Sequence, residues 1–232
     1  PALLSHSDVE TLFHEFGHLI HFFMMDSQEL SLRNVAWDFV ELPSQIMENW
    51  CRSREGLDIF ARHYETGGKI PEELFAKFEK SRKFMGANAA MRQLSFAQID
   101  LLLHTRTREF IDGGIEKTAR AALADFTHKY TEPVPTILPR FTHLFGDAVG
   151  YAAGYYSYKW AEVLEADAFT RFESEGLLNP EVGGEFPERV LRVGDTIDPA
   201  EAFRNFMGRD PAAAALVERS IAADVAEASG GK

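Results

Sequence analysis

From Ser7 to Met25 apolar side chains recur at spacings of three and four: Val9, Leu12, Phe13, Phe16, Leu19, Ile20 and Phe23. That period lays them along one broad stripe of an α-helix, whereas a half-buried strand would alternate every second residue. Ser7 with Glu10 three residues on reads as the capping box that starts the helix. Within the stripe stand two imidazoles and a carboxylate, His14, Glu15 and His18. Polar groups in such a place are costly unless something binds them.

The same period recurs along the chain, at about 38–54, 71–84, 87–110, 115–130, 150–172, 186–193, 199–206 and 211–225. Pro71 opens one of these helices, and Pro43 falls near the first turn of another, where a missing N–H is tolerated. The Pro-rich stretch from Thr131 to Phe141 breaks the pattern and reads as a linker or wall. Asp112-Gly113-Gly114 reads as a loop or a helix interruption. Clear alternation is missing, so the expected fold is mainly α with little or no β-sheet. It divides into four consecutive stretches, 1–54, 55–130, 131–172 and 173–232, the last ending in a short low-complexity tail at 226–232.

Composition narrows the function classes. With 24 basic and 36 acidic residues the net charge is −12, which argues against nucleic acid or an anionic membrane as partner. Cys51 is the one cysteine, so no intramolecular disulfide is available, which fits a reducing compartment. No run approaches the roughly 18 apolar residues of a spanning helix, and the first residues lack the order of a signal peptide. The chain therefore reads as cytoplasmic. It opens at Pro1 without methionine, which reads as a piece of something longer.

His14 and His18 lie four residues apart, one helical turn, on the same face. Glu15 is turned about 100° from His14, where its carboxylate reaches a water on a shared ion without taking a coordination site. This is H-E-x-x-H, the spacing of a helix-borne zinc site with the glutamate as general base. A His-x-x-x-His pair also arises by chance on amphipathic helices. Against chance stand Glu15, the apolar surroundings, and Gly17, a poor helix former that lets another backbone come close. His21 points away from the mean direction of the pair and reads as a supporting or substrate-contacting group. His6, His63, His104 and His128 read as surface or core structure.

Catalytic zinc takes three protein ligands and keeps one position open. The next helical pattern, WDFVELPSQIMENW, offers Asp38, Glu41 and Glu48. One of these completes the site while another orients a ligating histidine through its second ring nitrogen. Spacing leaves open which does which, and leaves open that Glu48 merely pairs with Arg52 or Arg54. Downstream, GYAAGYYSYKW places Tyr151, Tyr155 and Tyr158 at i, i+4 and i+7, a single helical stripe, with Tyr156 pointing elsewhere. Such a stripe is either an aromatic core or a row of hydroxyl donors along a cleft, and Gly150 and Gly154 favour the cleft by letting a substrate backbone approach.

HEFGH followed by WDFVELPSQIMENW, then RQLSFAQIDLLLH, GYAAGYYSYKWAEVLEADAF and FMGRDP, resembles the thimet oligopeptidase and oligopeptidase A family of zinc metallopeptidases, over nearly the whole chain. The resemblance implies a helical zincin-type catalytic domain of which 1–232 is the C-terminal part. In it 1–54 is the zinc-binding helix pair, 55–130 a helical scaffold, 131–172 the Pro-rich wall and tyrosine helix, and 173–232 the C-terminal helices. It implies one Zn2+ per chain, held by His14, His18 and Glu41, with Glu15 as general base, which leaves Glu48 and Asp38 as the carboxylates behind the ligands. It further implies that Tyr151, Tyr158 and His143 stabilise the tetrahedral intermediate and that Tyr155 touches substrate. The implied activity is endopeptidase cleavage of short oligopeptides. Two alternatives stand beside it: a zinc-binding fragment with little activity that lacks its N-terminal half as partner, and a dipeptidyl carboxypeptidase of the same family.

Overall fold

A computed structural model of the protein describes residues 3–132 and 134–220. Among the described residues there are helices and turns but no strand. They group into two compact units, one drawn from the described residues of 1–84 and 160–232, the other from those of 85–159.

The first unit opens with α1 (His6–Met24). Its capping box is Ser5 with Asp8, two residues ahead of the expected Ser7 and Glu10: the Asp8 N–H donates to Ser5 Oγ at 3.2 Å and the Ser5 N–H to Asp8 at 2.8 Å. Both pairs fit the spacing. The earlier start leaves Glu10 free to meet His6 at 3.1 Å and the Arg52 guanidinium at 2.7 Å. The apolar stripe also divides. Phe13 and Ile20 turn inward, while Leu12, Phe16, Leu19 and Phe23 stay exposed.

α2 (Leu42–Arg52) packs along α1. A methyl group on Gly17 would lie 2.3 Å from the Pro43 carbonyl oxygen and 2.6 Å from Ser44 Cα, so only glycine permits this approach. The pattern expected from Asp38 to Arg54 is shorter as built. Residues 37–41 are turns, Glu41 is the N-cap, and Ser53 ends α2 and caps α3 (Arg54–Phe60), accepting the Gly56 N–H at 3.0 Å. α4 (Glu72–Lys83) follows, with Pro71 at its cap.

The core of this unit is aromatic. Leu42 and Ile46 of α2 meet Phe169 and Phe172 of α9 (Ser157–Glu175), Phe186 of α10 (Pro180–Phe186), and Phe203 and Phe206 of α11 (Pro199–Met207). The expected helix at 186–193 is a single π-helical turn, Pro187–Leu191, starting where Pro187 offers no N–H. The FMGRDP segment folds back through Gly208 at φ +72°, and Arg209 grips the buried Asp167 carboxylate with two bonds of 2.6 Å. Of the last expected helix, 214–220 is helical and its end and the tail lie outside the described residues. Arg219 there binds the buried Glu165, which also accepts from Asn49 at 2.7 Å.

The second unit begins with α5 (Gly86–Thr105). The single helix expected to Phe110 breaks at Arg106, and α6 (Thr107–Gly113) starts anew. The hydroxyls of Thr105 and Thr107 take the carbonyls of Leu101 and Leu103 at 2.6 Å each, competing with the helical N–H donors. Gly114 at φ +80° separates α7 (Ile115–Ala122), which stops well short of Tyr130. The Pro-rich stretch holds one 3-10 turn, Leu138–Arg140, and leads to α8 (Thr142–Phe145). Ile99, Phe110, Leu123, Leu138, Phe141 and Tyr155 form the core. The tyrosine segment departs most from expectation: residues 150–156 are turns, with Gly150 at φ +48° and Ala153 at φ +57°, and helix begins only at Ser157.

Candidate metal centre

α1 brings His14 and His18 to one side, with ring centroids 5.0 Å apart and planes at 85°. The turn preceding α2 carries Glu41 beneath them. Its Oε2 lies 3.3 Å from Nε2 of each ring, and the three ligand atoms all lie within 4.8 Å of one another. Neighbouring ligands of a tetrahedral ion with bonds of about 2.0–2.1 Å stand roughly 3.3 Å apart. Two neutral imidazoles and a carboxylate are also the donor chemistry that zinc accepts, so the residues present fit the ion.

The surroundings favour positive charge at this point. Glu48, on α2, places Oε1 2.8 Å from His14 Nδ1. A carboxylate oxygen only accepts, so Nδ1 carries the hydrogen and Nε2 faces Glu41. Hydrogen bonds to Glu41 and then Glu48 raise the His14 imidazole to about 9. Burial drives the Glu41 carboxyl upward, but the bonds from His14, His18 and Ser44 outweigh it and hold the group well below the usual carboxylate range. The Ser44 hydroxyl lies 2.8 Å from the Glu41 carbonyl and 3.0 Å from its Oε2. Glu48 also meets the Arg52 guanidinium, so its carboxylate has a histidine and an arginine as partners.

The remaining expected residues fall as follows. Glu15 is exposed on α1 beside His14, and Asp38 is half-buried in the turn three residues before Glu41. His21 is buried, with no hydrogen-bond partner for Nε2 among the described residues, and burial followed by the His18 charge lowers its imidazole to about 4. In the second unit, Tyr151 stacks on Tyr158 with centroids 5.0 Å apart and 22° between planes, and His143 stands 5.6 and 6.0 Å from them. This cluster does not arise from a helical stripe, because Tyr151 and Tyr155 lie in turns. Tyr155 is buried and its hydroxyl donates to Gln93 Oε1 at 3.0 Å. Sequence reasoning passed over Asp100, whose signal was a carboxylate inside the apolar run SFAQIDLLLH with a histidine four residues on.

Described residues that are helical without a strand, with a His-Glu-x-x-His turn on one helix and a carboxylate at the start of the next, define a helical protein bearing the HExxH pattern. The family model of peptidase family M3 matches residues 1–221, and the chain belongs to that family. It is 42% identical over 225 residues to oligopeptidase A of Haemophilus influenzae, an alignment covering 94% of this chain and 32% of that protein. It is 41% identical over 235 residues to the chloroplastic/mitochondrial organellar oligopeptidase A of Arabidopsis thaliana, covering 95% of this chain and 28% of the relative. The dipeptidyl carboxypeptidase of Escherichia coli is 36% identical over 219 residues, 91% of this chain and 31% of that protein. The chain thus spans about three tenths of the length of the curated relatives it matches. Among the described residues no helix is long and apolar enough to cross a membrane.

Proposed function

We propose that the chain carries the catalytic centre of a cytoplasmic zinc endopeptidase acting on short peptides, with His14, His18 and Glu41 as the ligands of one zinc ion. The observation that supports this most is the convergence of His14 Nε2, His18 Nε2 and Glu41 Oε2. Bound there, zinc supplies Lewis acidity toward a carbonyl oxygen and lowers the pKa of water to about 7. Glu48 fixes the tautomer and orientation of His14 through Nδ1. Asp38, ahead of Glu41, belongs with the groups that support the ligands.

Glu15 is the base in this reading. Its exposed carboxylate takes the proton of the attacking water and delivers it to the departing amine. Hydroxyls of Tyr158 and Tyr151, with His143, donate to the oxygen on which negative charge develops, each such donor being worth about 3–4 kcal/mol. Tyr155 supports that cluster from the core, and the substrate contact the resemblance implies for it requires its bond to Gln93 to open. Nucleic acid and membrane are not partners in this reading, in keeping with the net charge of −12.

Glu15→Gln decides the base assignment. The variant is expected to keep one equivalent of zinc and to lose hydrolysis of a fluorogenic short peptide by about a thousandfold or more. Unchanged turnover removes Glu15 from the mechanism. The similarity to a dipeptidyl carboxypeptidase sustains a second reading, release of C-terminal dipeptides, and product masses from one decapeptide separate the two. Zinc at one equivalent with no cleavage of any peptide favours the third, a metal-binding portion that needs further chain to act.

A further inference from the structure

Asp100, on α5, is fully buried and has no part in the roles above. Its Oδ1 accepts the N–H of Ala153 at 2.8 Å, and its Oδ2 accepts the N–H of Tyr155 at 2.9 Å. His104, one turn further along α5, brings Nδ1 to 2.9 Å from Oδ1 and 2.8 Å from the Asp100 carbonyl oxygen. Both oxygens are acceptors, so that nitrogen carries the hydrogen. A carboxylate removed from water is costly unless its oxygens are filled, and here two backbone N–H groups and a ring N–H fill them.

These bonds shape the tyrosine segment. Were residues 150–156 helical, the N–H groups of Ala153 and Tyr155 would reach the carbonyls of Val149 and Tyr151. Asp100 takes both donors instead. Ala153 then sits at φ +57°, a conformation that a residue with a Cβ adopts only when its surroundings impose it. Helix starts at Ser157, and Tyr151 folds back to stack on Tyr158 with its N–H donating to the His143 carbonyl at 3.0 Å. All these groups lie within one compact unit.

We propose that Asp100, steadied by His104, is the positioning residue of the tyrosine cluster, its buried carboxylate holding the backbone of Ala153 and Tyr155 so that Tyr151, Tyr158 and His143 present their donors together. This rests on the reading in which those donors serve a peptide substrate.

Asp100→Asn tests it in the zinc-supplemented protein, because the carboxamide keeps the size but replaces one acceptor oxygen by a donor. Zinc content is expected to stay at one equivalent. The amides of Ala153 and Tyr155, exchanging in the wild type as slowly as the interior of α5, are expected to exchange faster. A fall in kcat of about a hundredfold with little change in KM is expected, the size of effect a small displacement of catalytic donors produces. Tyr158→Phe is measured beside it. If that variant keeps its kcat, the reading of the phenols fails, while the amide exchange still decides whether Asp100 holds the segment.

If Tyr158→Phe is impaired but Asp100→Asn stays within about twofold of wild type, the proposal is overturned. Wild-type amides at Ala153 and Tyr155 that exchange like an exposed loop overturn it as well. Should Asp100→Asn not fold, His104→Ala carries the decision: it loosens Oδ1, so faster exchange at Ala153 than at Tyr155 and a lower kcat are expected. No change in either overturns the proposal.

Discussion

His14 meets an acidic oxygen at both ring nitrogens, Glu48 at 2.8 Å on one side and Glu41 at 3.3 Å on the other. In the proposed zinc site Glu48 adds no ligand atom but makes the His14 imidazole a better one. Glu48→Gln is therefore expected to weaken zinc binding by about 10–100-fold, read by competition with a chelator, while the helices stay intact. His21, one turn beyond His18, behaves oppositely. Its buried imidazole stays neutral down to about 4, whereas the unfolded chain takes the proton at the usual 6.5. Between these values the unfolded state binds more protons, so the contribution of His21 is complete above pH 6.5 and is lost as pH falls through 4. That loss is on the order of 3 kcal/mol. Urea midpoints of the metal-free protein from pH 7 to 4 should fall more steeply for wild type than for His21→Leu, which cannot titrate there. Parallel curves would contradict the burial argument.

Among the elements, the pairing of α1 with α2 depends on a missing side chain. Gly17→Ala puts a methyl within 2.3 Å of backbone that cannot step aside. Overpacking of this kind costs about 1–3 kcal/mol, and here it also moves Glu41 relative to the two rings. Lower thermal stability together with weaker zinc binding is expected. A variant as stable as wild type would mean that α2 sits farther off. The helices were legible in the sequence where periodicity and helix-start signals agreed, as at α4, and at α1 apart from a cap placed two residues late. They were misread where a distant or side-chain competitor took the backbone donors or acceptors. Threonine hydroxyls end α5 early, and the Asp100 carboxylate unwinds 150–156. Neither competitor enters a count of apolar spacing.

On the scale of the whole molecule, α1 is apolar on two sides. Phe13, Gly17 and Ile20 face α2 and the core, while Leu12, Phe16, Leu19 and Phe23, at 59%, 49%, 44% and 74% exposure, form a second stripe toward solvent. A helix apolar all round belongs in an interior, and an exposed stripe of this kind drives association. The 232-residue chain by itself is expected to self-associate in sedimentation equilibrium despite its net charge of −12. Phe16→Lys with Phe23→Lys should abolish that association and leave zinc affinity unchanged. A chain that stays monomeric at high concentration would show that the stripe carries no such drive.

The donor chemistry was set by the sequence alone. A His-Glu-x-x-His turn needs only helical geometry to bring its two rings together, because residues four apart face the same way wherever the helix lies. The all-helical character followed equally from a period that is local. The third donor was not local. Spacing left Asp38, Glu41 and Glu48 open and only the family resemblance pointed to Glu41; the turn ending at Glu41, with α2 pressed against Gly17, brings Glu41 to the rings and leaves Glu48 to the far side of His14. The tyrosine cluster was likewise decided across 53 residues of chain, where a buried carboxylate took two backbone hydrogens that a helix would have used. Spacing fixes what a segment can do by itself; only packing decides which of its hydrogen bonds are taken by something else.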